Sequence, residues 1–129
     1  MKIEHIAIWV QDIDKVCEFY RKYFGGVVGQ LYHNPAKQFT SRFVTFETGA
    51  RLEIMSRPDI CSAPGIMGKE HIGIAHLSFS VGSKEKVDQL TQQMSDDRIT
   101  VVGEPRTTGD GYYESVVLDP EGNRIEITV

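Results

Sequence analysis

The sequence lacks several features that would assign it to a large class of proteins. It has no apolar run approaching the roughly 20 residues that span a bilayer. It also has no P-loop, G-x-G-x-x-G or H-E-x-x-H motif. Its 14 basic and 18 acidic residues give a net charge of −4, which disfavours binding to a nucleic-acid backbone. We therefore expect neither a membrane nor a nucleic acid as partner.

Cysteine is scarce, and the start of the chain does not resemble an export signal. Only Cys17 and Cys61 are present, without the close spacing typical of a metal site. The first ten residues alternate polar and apolar positions instead of forming a charged and then an apolar segment. We expect a cytoplasmic protein whose thiols remain reduced.

The 129 residues contain one structural pattern twice. The segment from His5 to Val10 resembles that from His76 to Val81, and residues 49–54 resemble 122–127 in the same order. Each half reads as β-α-β-β-β, with turn and cap signals between the elements. This predicts an α+β fold in one domain spanning 1–129. Its two βαβββ modules, about 1–56 and 73–129, are joined by a loop at 57–72.

The first strand after the helix is predicted over 27–32 in the first half and near 100–102 in the second. Ser83 is expected to cap the second helix, whose apolar positions are Val87, Leu90 and Met94.

Alternation along the predicted strands places four potential metal ligands on the faces opposite the helices. They are two histidines and two glutamates, His5, Glu53, His76 and Glu126, at equivalent positions of the two modules. Taken singly, each is typical of a polar residue on a strand face. As repeated pairs they favour a divalent metal in a cleft between paired modules, and zinc, nickel, cobalt, manganese and iron(II) all suit such donors.

Several motifs resemble the glyoxalase / bleomycin-resistance / extradiol-dioxygenase (vicinal oxygen chelate) superfamily. They are H-I-A-I-W-V from His5, the segment from Asp12 to Tyr20, F-G-G at 24–26 and D-P-E-G-N-R-I-E-I at 119–127. The resemblance implies paired βαβββ modules forming a cleft around a metal. Its ligand set would be His5, Glu53, His76 and Glu126, similar to that of glyoxalase I (lactoylglutathione lyase), with nickel or zinc as the expected metal. It also implies a homodimer with sites at the interface.

The same resemblance implies a reaction in which a small thiol-conjugated 2-oxoaldehyde is isomerised through an enediolate. Glu126 would be the main catalytic base, with Glu53 as its partner. An epimerase, a thiol transferase, a dioxygenase and a non-catalytic binding or resistance protein are the alternatives within the superfamily.

Five further residues are candidates for substrate binding: Trp9, Phe43, Met55, Arg57 and Tyr113. Two of them depart from what is typical of glyoxalases. Trp9 stands where an arginine contacts glutathione in that family, and Arg57 stands where an asparagine is usual. The departures make glutathione a doubtful substrate but leave the metal ligands intact.

Overall fold

A computed structural model describes residues 1–61, 69–70 and 72–129. The chain divides into two compact units, 1–63 and 64–129. The predicted linking loop at 57–72 lies partly outside the described residues. The α+β prediction is confirmed, because each unit combines one helix with one sheet. That the two units form a single domain stays a prediction.

The first unit folds into a five-stranded sheet with one helix. Its elements are β1 (His5–Trp9), α1 (Ile13–Phe24), β2 (Val27–Val28), β3 (Tyr32–Asn34), β4 (Phe39–Thr45) and β5 (Arg51–Ser56). The strand order is β1-β5-β4-β2, and β3 also pairs with β4. Strands β1 and β5 are parallel, whereas the pairings of β4 are antiparallel.

The second unit repeats this plan with four strands. Its elements are β6 (Leu77–Ser80), α2 (Lys84–Asp96), β7 (Val101–Thr107), β8 (Tyr113–Leu118) and β9 (Arg124–Thr128). The strand order is β6-β9-β8-β7, with β6 and β9 parallel. The second unit therefore has the predicted β-α-β-β-β order.

The first unit differs from the prediction by one strand. The sequence suggested a single strand over 27–32, but Gly29 lies between β2 and β3, and its N–H donates to the Phe43 carbonyl at 2.8 Å. The turn that follows β3 closes with Gln38 at φ 50°, so the chain returns at once as β4. A short hairpin thus stands where one strand was expected. In the second unit, β7 runs to Thr107, beyond the predicted 100–102.

Each helix covers one face of its own sheet. The core of each unit lies between its helix and that sheet. Helix α1 begins where Asp12 Oδ1 accepts the Lys15 N–H at 3.0 Å, and it ends at Gly25, whose φ of 65° suits glycine. Its buried side chains are Ile13, Val16, Cys17, Phe19 and Tyr20. The buried strand residues Leu52 and Ile54 face it, as alternation predicts. The side chains that alternate with these buried residues, including Glu53, therefore lie on the opposite face of the sheet.

Helix α2 covers the second sheet in the same way. Ser83 Oγ accepts the Lys86 N–H at 3.3 Å at its start, as predicted. Val87 and Met94 are buried as expected, and Thr91 takes the buried position between them. No helix in the described part of the chain is both long and apolar enough to cross a membrane.

Candidate metal centre

The first half-site lies on the face of the first sheet that α1 does not cover. Strands β1 and β5 are parallel, and Ala7 lies opposite Glu53. His5 is two residues before Ala7, so its side chain is on the same face of the sheet as that of Glu53. His5 Nε2 is 3.8 Å from Glu53 Oε2. The histidine side chain is 40% exposed and the glutamate side chain 18%, which leaves both accessible to a ligand.

The second half-site repeats this geometry in the other unit. His76 directly precedes β6, and Glu126 lies on β9 opposite Ser78. His76 Nε2 is 3.4 Å from Glu126 Oε2, with side-chain exposures of 43% and 16%. The two pairs thus agree in donor types, separation and exposure. This equivalence follows from the same parallel pairing in both units.

Glu4 completes the first half-site, and the sequence analysis missed it. The Glu4 carboxylate contacts His5 Nδ1 and also accepts a hydrogen bond from Arg51. The His5 hydrogen bond and then Arg51 hold the pKa of Glu4 below its usual range. A carboxylate on Nδ1 fixes the imidazole and leaves Nε2 for a metal. Alternation gave no signal for this contact, because along the predicted strand over 2–10 it would place Glu4 on the face opposite His5.

Phe43 forms a wall beside the first half-site. It lies opposite Glu53 on β4, and the His5 ring meets it edge-on, with centroids 5.6 Å apart. The Arg51 guanidinium lies over the same ring, 4.0 Å from its centroid. Glu4 and Phe43 therefore contact His5 directly, and Arg51 contacts both of them.

Glu126 has polar neighbours that Glu53 does not share. Ser78 Oγ donates to Glu126 Oε1 at 2.6 Å. Burial and then the nearby charge of Glu126 raise the pKa of Glu114, although Arg106, 3.3 Å away, acts in the opposite sense. Glu126 is therefore held by the Ser78 hydroxyl and lies close to a second carboxylate, that of Glu114.

Each unit supplies one imidazole and one carboxylate, a donor set that suits a divalent transition metal. Within residues 1–61, 69–70 and 72–129, no three His, Cys, Asp or Glu side chains are grouped closely enough to hold a metal ion. A pair alone gives two ligands, whereas structural and catalytic metal sites usually have three or four from the protein. Each pair alone therefore has fewer protein ligands than such a centre usually has.

Four of the predicted substrate-binding residues lie on or beside the open face of the first sheet. Trp9 pairs in register with Met55, one strand repeat beyond Glu53, and Phe43 lies opposite Glu53. The Arg57 guanidinium lies over the Trp9 ring, 5.4 Å from its centroid. The structure brings these four residues together with the first half-site.

Tyr113 lies elsewhere. Its hydroxyl donates to Asp88 Oδ1 on α2 at 2.7 Å, and Lys84 Nζ lies 5.0 Å from its ring centroid. It therefore packs on the helix side of the second sheet, opposite the face that carries Glu126. This position gives no support to a role in substrate binding.

Sequence reasoning also missed two aromatic residues beside Trp9. Phe39 meets the Trp9 ring edge-on at 6.1 Å, and Tyr32 lies 6.2 Å from Phe39, centroid to centroid. Phe39 shares its face with Phe43 by alternation along β4, which was an available signal. Tyr32 gave none, because the predicted strand over 27–32 did not include the β3–β4 hairpin that brings Tyr32 beside Phe39.

Comparison with known proteins agrees with this architecture. The model of the Glyoxalase/Bleomycin resistance protein/Dioxygenase superfamily matches residues 2–127, so the chain belongs to this superfamily. It is 24% identical to the uncharacterized protein YqjT of Bacillus subtilis (strain 168), across 97% of this chain and 96% of that protein.

Two solved structures show the same fold. The trypanothione-dependent glyoxalase I of Leishmania major has a TM-score of 0.78 at 22% identity, over 99% of this chain and 86% of its own. A glyoxalase family protein from Enterococcus faecalis has a TM-score of 0.78 at 23% identity, over 99% and 97%. The prediction of a glyoxalase-like fold is therefore confirmed.

Proposed function

We propose that this protein is a metal-dependent lyase or isomerase of the glyoxalase I type. Its substrate would be a small oxygenated molecule, for example a thiol-conjugated 2-oxoaldehyde. The single observation that carries the proposal is the pair of equivalent His–Glu half-sites, His5 with Glu53 and His76 with Glu126. Glyoxalase I among the structures of the same fold supports it at the level of the superfamily.

These four residues would hold the metal, and nickel or zinc is the ion we expect. A bound divalent ion would act as a Lewis acid toward the substrate oxygens. Two carboxylates that held one ion would repel each other, and the divalent charge would offset this repulsion. Glu4 would keep His5 oriented through Nδ1.

The proton transfer would be carried out by the glutamates. In an isomerisation of this kind, one carbon loses a proton and its neighbour gains one, so the base must take the proton and return it. We assign this role to Glu126, with Glu53 as its partner. Ser78 holds Oε1 of Glu126, so Oε2 is the oxygen turned toward His76 and available for the transfer.

A homodimer is the assembly that we propose. In it, a second copy would bring its His76–Glu126 pair to a His5–Glu53 pair, with the site at the interface. We further propose a cytoplasmic location, in keeping with Cys17 and Cys61, which are both free thiols in the structure.

The test combines metal analysis with turnover. The purified protein is assayed for bound transition metals and screened with methylglyoxal and several thiols. Glu126→Gln should lower turnover by orders of magnitude while metal content falls less, because an amide cannot accept the proton. Glu104→Gln, an exposed change on β7, is the matched control. Absence of both metal and turnover would instead favour a non-catalytic binding protein.

A further inference from the structure

Three aromatic side chains form a contiguous surface beside the first half-site, and we call it the aromatic platform: Trp9, Tyr32 and Phe39. The rings contact one another in sequence, Trp9 to Phe39 and Phe39 to Tyr32. Trp9 is 41% exposed and Tyr32 is 55% exposed. Large aromatic side chains exposed together are uncommon on a soluble surface unless they meet a ligand or a partner.

Strand register fixes the distance from the platform to the half-site. Trp9, Met55, Ser41 and Tyr32 form one row across β1, β5, β4 and β3. Ala7, Glu53 and Phe43 form the next row. Rows on one face of a sheet are two residues apart, which is about 7 Å. A molecule of ordinary small size can therefore reach from Glu53 to the platform.

Arg57 gives the platform a cationic edge. Its guanidinium lies over Trp9, and its Nε donates to Asp59 Oδ1 at 2.5 Å, which holds the group in place. A guanidinium at the edge of an aromatic surface attracts the face of another aromatic ring, so it favours planar, electron-rich ligands at this surface.

We propose that the aromatic platform is a specificity subsite for a planar aromatic ring, carried by a substrate whose vicinal oxygens lie at the His5–Glu53 pair. This inference rests on the proposed function, because it names the substrate class for that site. Edge-to-face and offset ring contacts are favourable beyond the apolar area they bury. An aliphatic substrate with the same oxygens would leave Trp9 and Tyr32 exposed to water.

The chain contains one tryptophan, so its fluorescence reports on the platform directly. Benzoylformate and pyruvate share the same 2-oxo acid end and differ in the ring. Both are titrated by calorimetry into the full-length protein, with and without nickel, while Trp9 emission is followed. We expect benzoylformate to bind at least about tenfold more tightly in both conditions and to change the emission.

Tyr32→Leu should reduce that preference several-fold, and Phe39→Leu should do the same. Tyr112→Leu, which removes an exposed tyrosine from the second unit, should leave it unchanged. Equal affinity for the two acids, no binding of either, or binding without a change in Trp9 emission would each overturn the subsite. If nickel did not bind but the protein still preferred benzoylformate, the result would contradict the proposed function and not the aromatic platform.

Discussion

The Ser78 hydroxyl donates a 2.6 Å hydrogen bond to Oε1 of Glu126, and the repeated module has no counterpart of this contact. The two residues face each other in the register of β6 and β9. In the first unit, the same register sets Ala7 opposite Glu53. The two half-sites therefore match in their donors but differ in how firmly each carboxylate is held.

Replacing Ser78 by alanine should weaken metal binding about tenfold, because partners of a ligand orient it and their loss commonly costs 10- to 100-fold in affinity. Competition with a chromophoric chelator measures the affinity. Ser78→Thr should restore most of it, since the hydroxyl returns. Ser80→Ala, an exposed change on the same strand, is the control. An affinity unchanged by Ser78→Ala would show that the hydrogen bond does not position Glu126.

The repeat made both half-sites predictable from sequence. Alternation around the buried residues Leu52 and Ile54 determines the face of Glu53, and the same argument with Ile125 and Ile127 determines the face of Glu126. Parallel pairing of the first and last strands of each unit then sets a histidine beside each carboxylate. The faces followed from the sequence alone, whereas the parallel pairing joins distant segments and was seen only in the structure.

Features that depend on irregular backbone were not predictable. The first strand was predicted over 2–10, and alternation along it would place Glu4 on the face opposite His5. In the structure β1 begins only at His5, and the Glu4 carboxylate contacts the His5 ring. The extra strand β3 ends in a turn that closes with Gln38 in a left-handed conformation. Asparagine or glycine is the usual residue in that conformation, so glutamine at this position did not indicate a turn. Tyr113 was predicted both as the start of a strand and as part of a loop over the cleft. In the structure β8 begins at Tyr113, and its hydroxyl contacts Asp88 on α2.

The two thiols should differ strongly in reactivity. Burial raises the pKa of Cys17 to about 11, whereas Cys61 is exposed. Since the thiolate is the reactive form, Cys61 should react promptly with a disulfide reagent near pH 8, and Cys17 only after unfolding. A colorimetric thiol count in native and denatured protein checks this. Two fast thiols in the native protein would contradict the buried position of Cys17.

The raised pKa of Cys17 also predicts a dependence of stability on pH. The unfolded thiol ionises near its ordinary value of 9.0, below its folded value of about 11. The free energy of unfolding should therefore be unaffected below pH 9 and should fall as the pH rises from 9 towards 11. Urea unfolding across this range measures the loss, and Cys17→Ala should remove this part of the dependence.

Adjacent glycines at the end of α1 should respond differently to substitution. A Cβ on Gly26 would lie 2.5 Å from Val44 Cγ1, so Gly26→Ala should cost about 1–3 kcal/mol through overpacking. Gly25 has open space around it but a φ of 65°, which asparagine tolerates. Gly25→Asn should therefore unfold close to wild type in urea. Equal losses for the two variants would contradict this account.

A buried hydroxyl pair ties α2 to its sheet. Thr91 Oγ1 donates its one proton to the Val87 carbonyl at 2.7 Å, so Ser115 is the donor in the 2.6 Å contact between the two hydroxyls. Thr91→Val keeps the shape but removes the acceptor for Ser115, and it should cost about 1–3 kcal/mol in urea unfolding. Ser115→Ala should cost less, because Thr91 retains its bond to Val87.

The double variant Thr91→Val/Ser115→Ala separates a hydrogen-bond effect from a packing effect. Once both hydroxyls are gone, no polar atom of the pair remains buried without a partner, so the double variant should be more stable than Thr91→Val alone. If the two losses simply add, the cost arises from altered packing between α2 and β8. In that case the hydroxyl pair contributes nothing specific to the attachment of the helix.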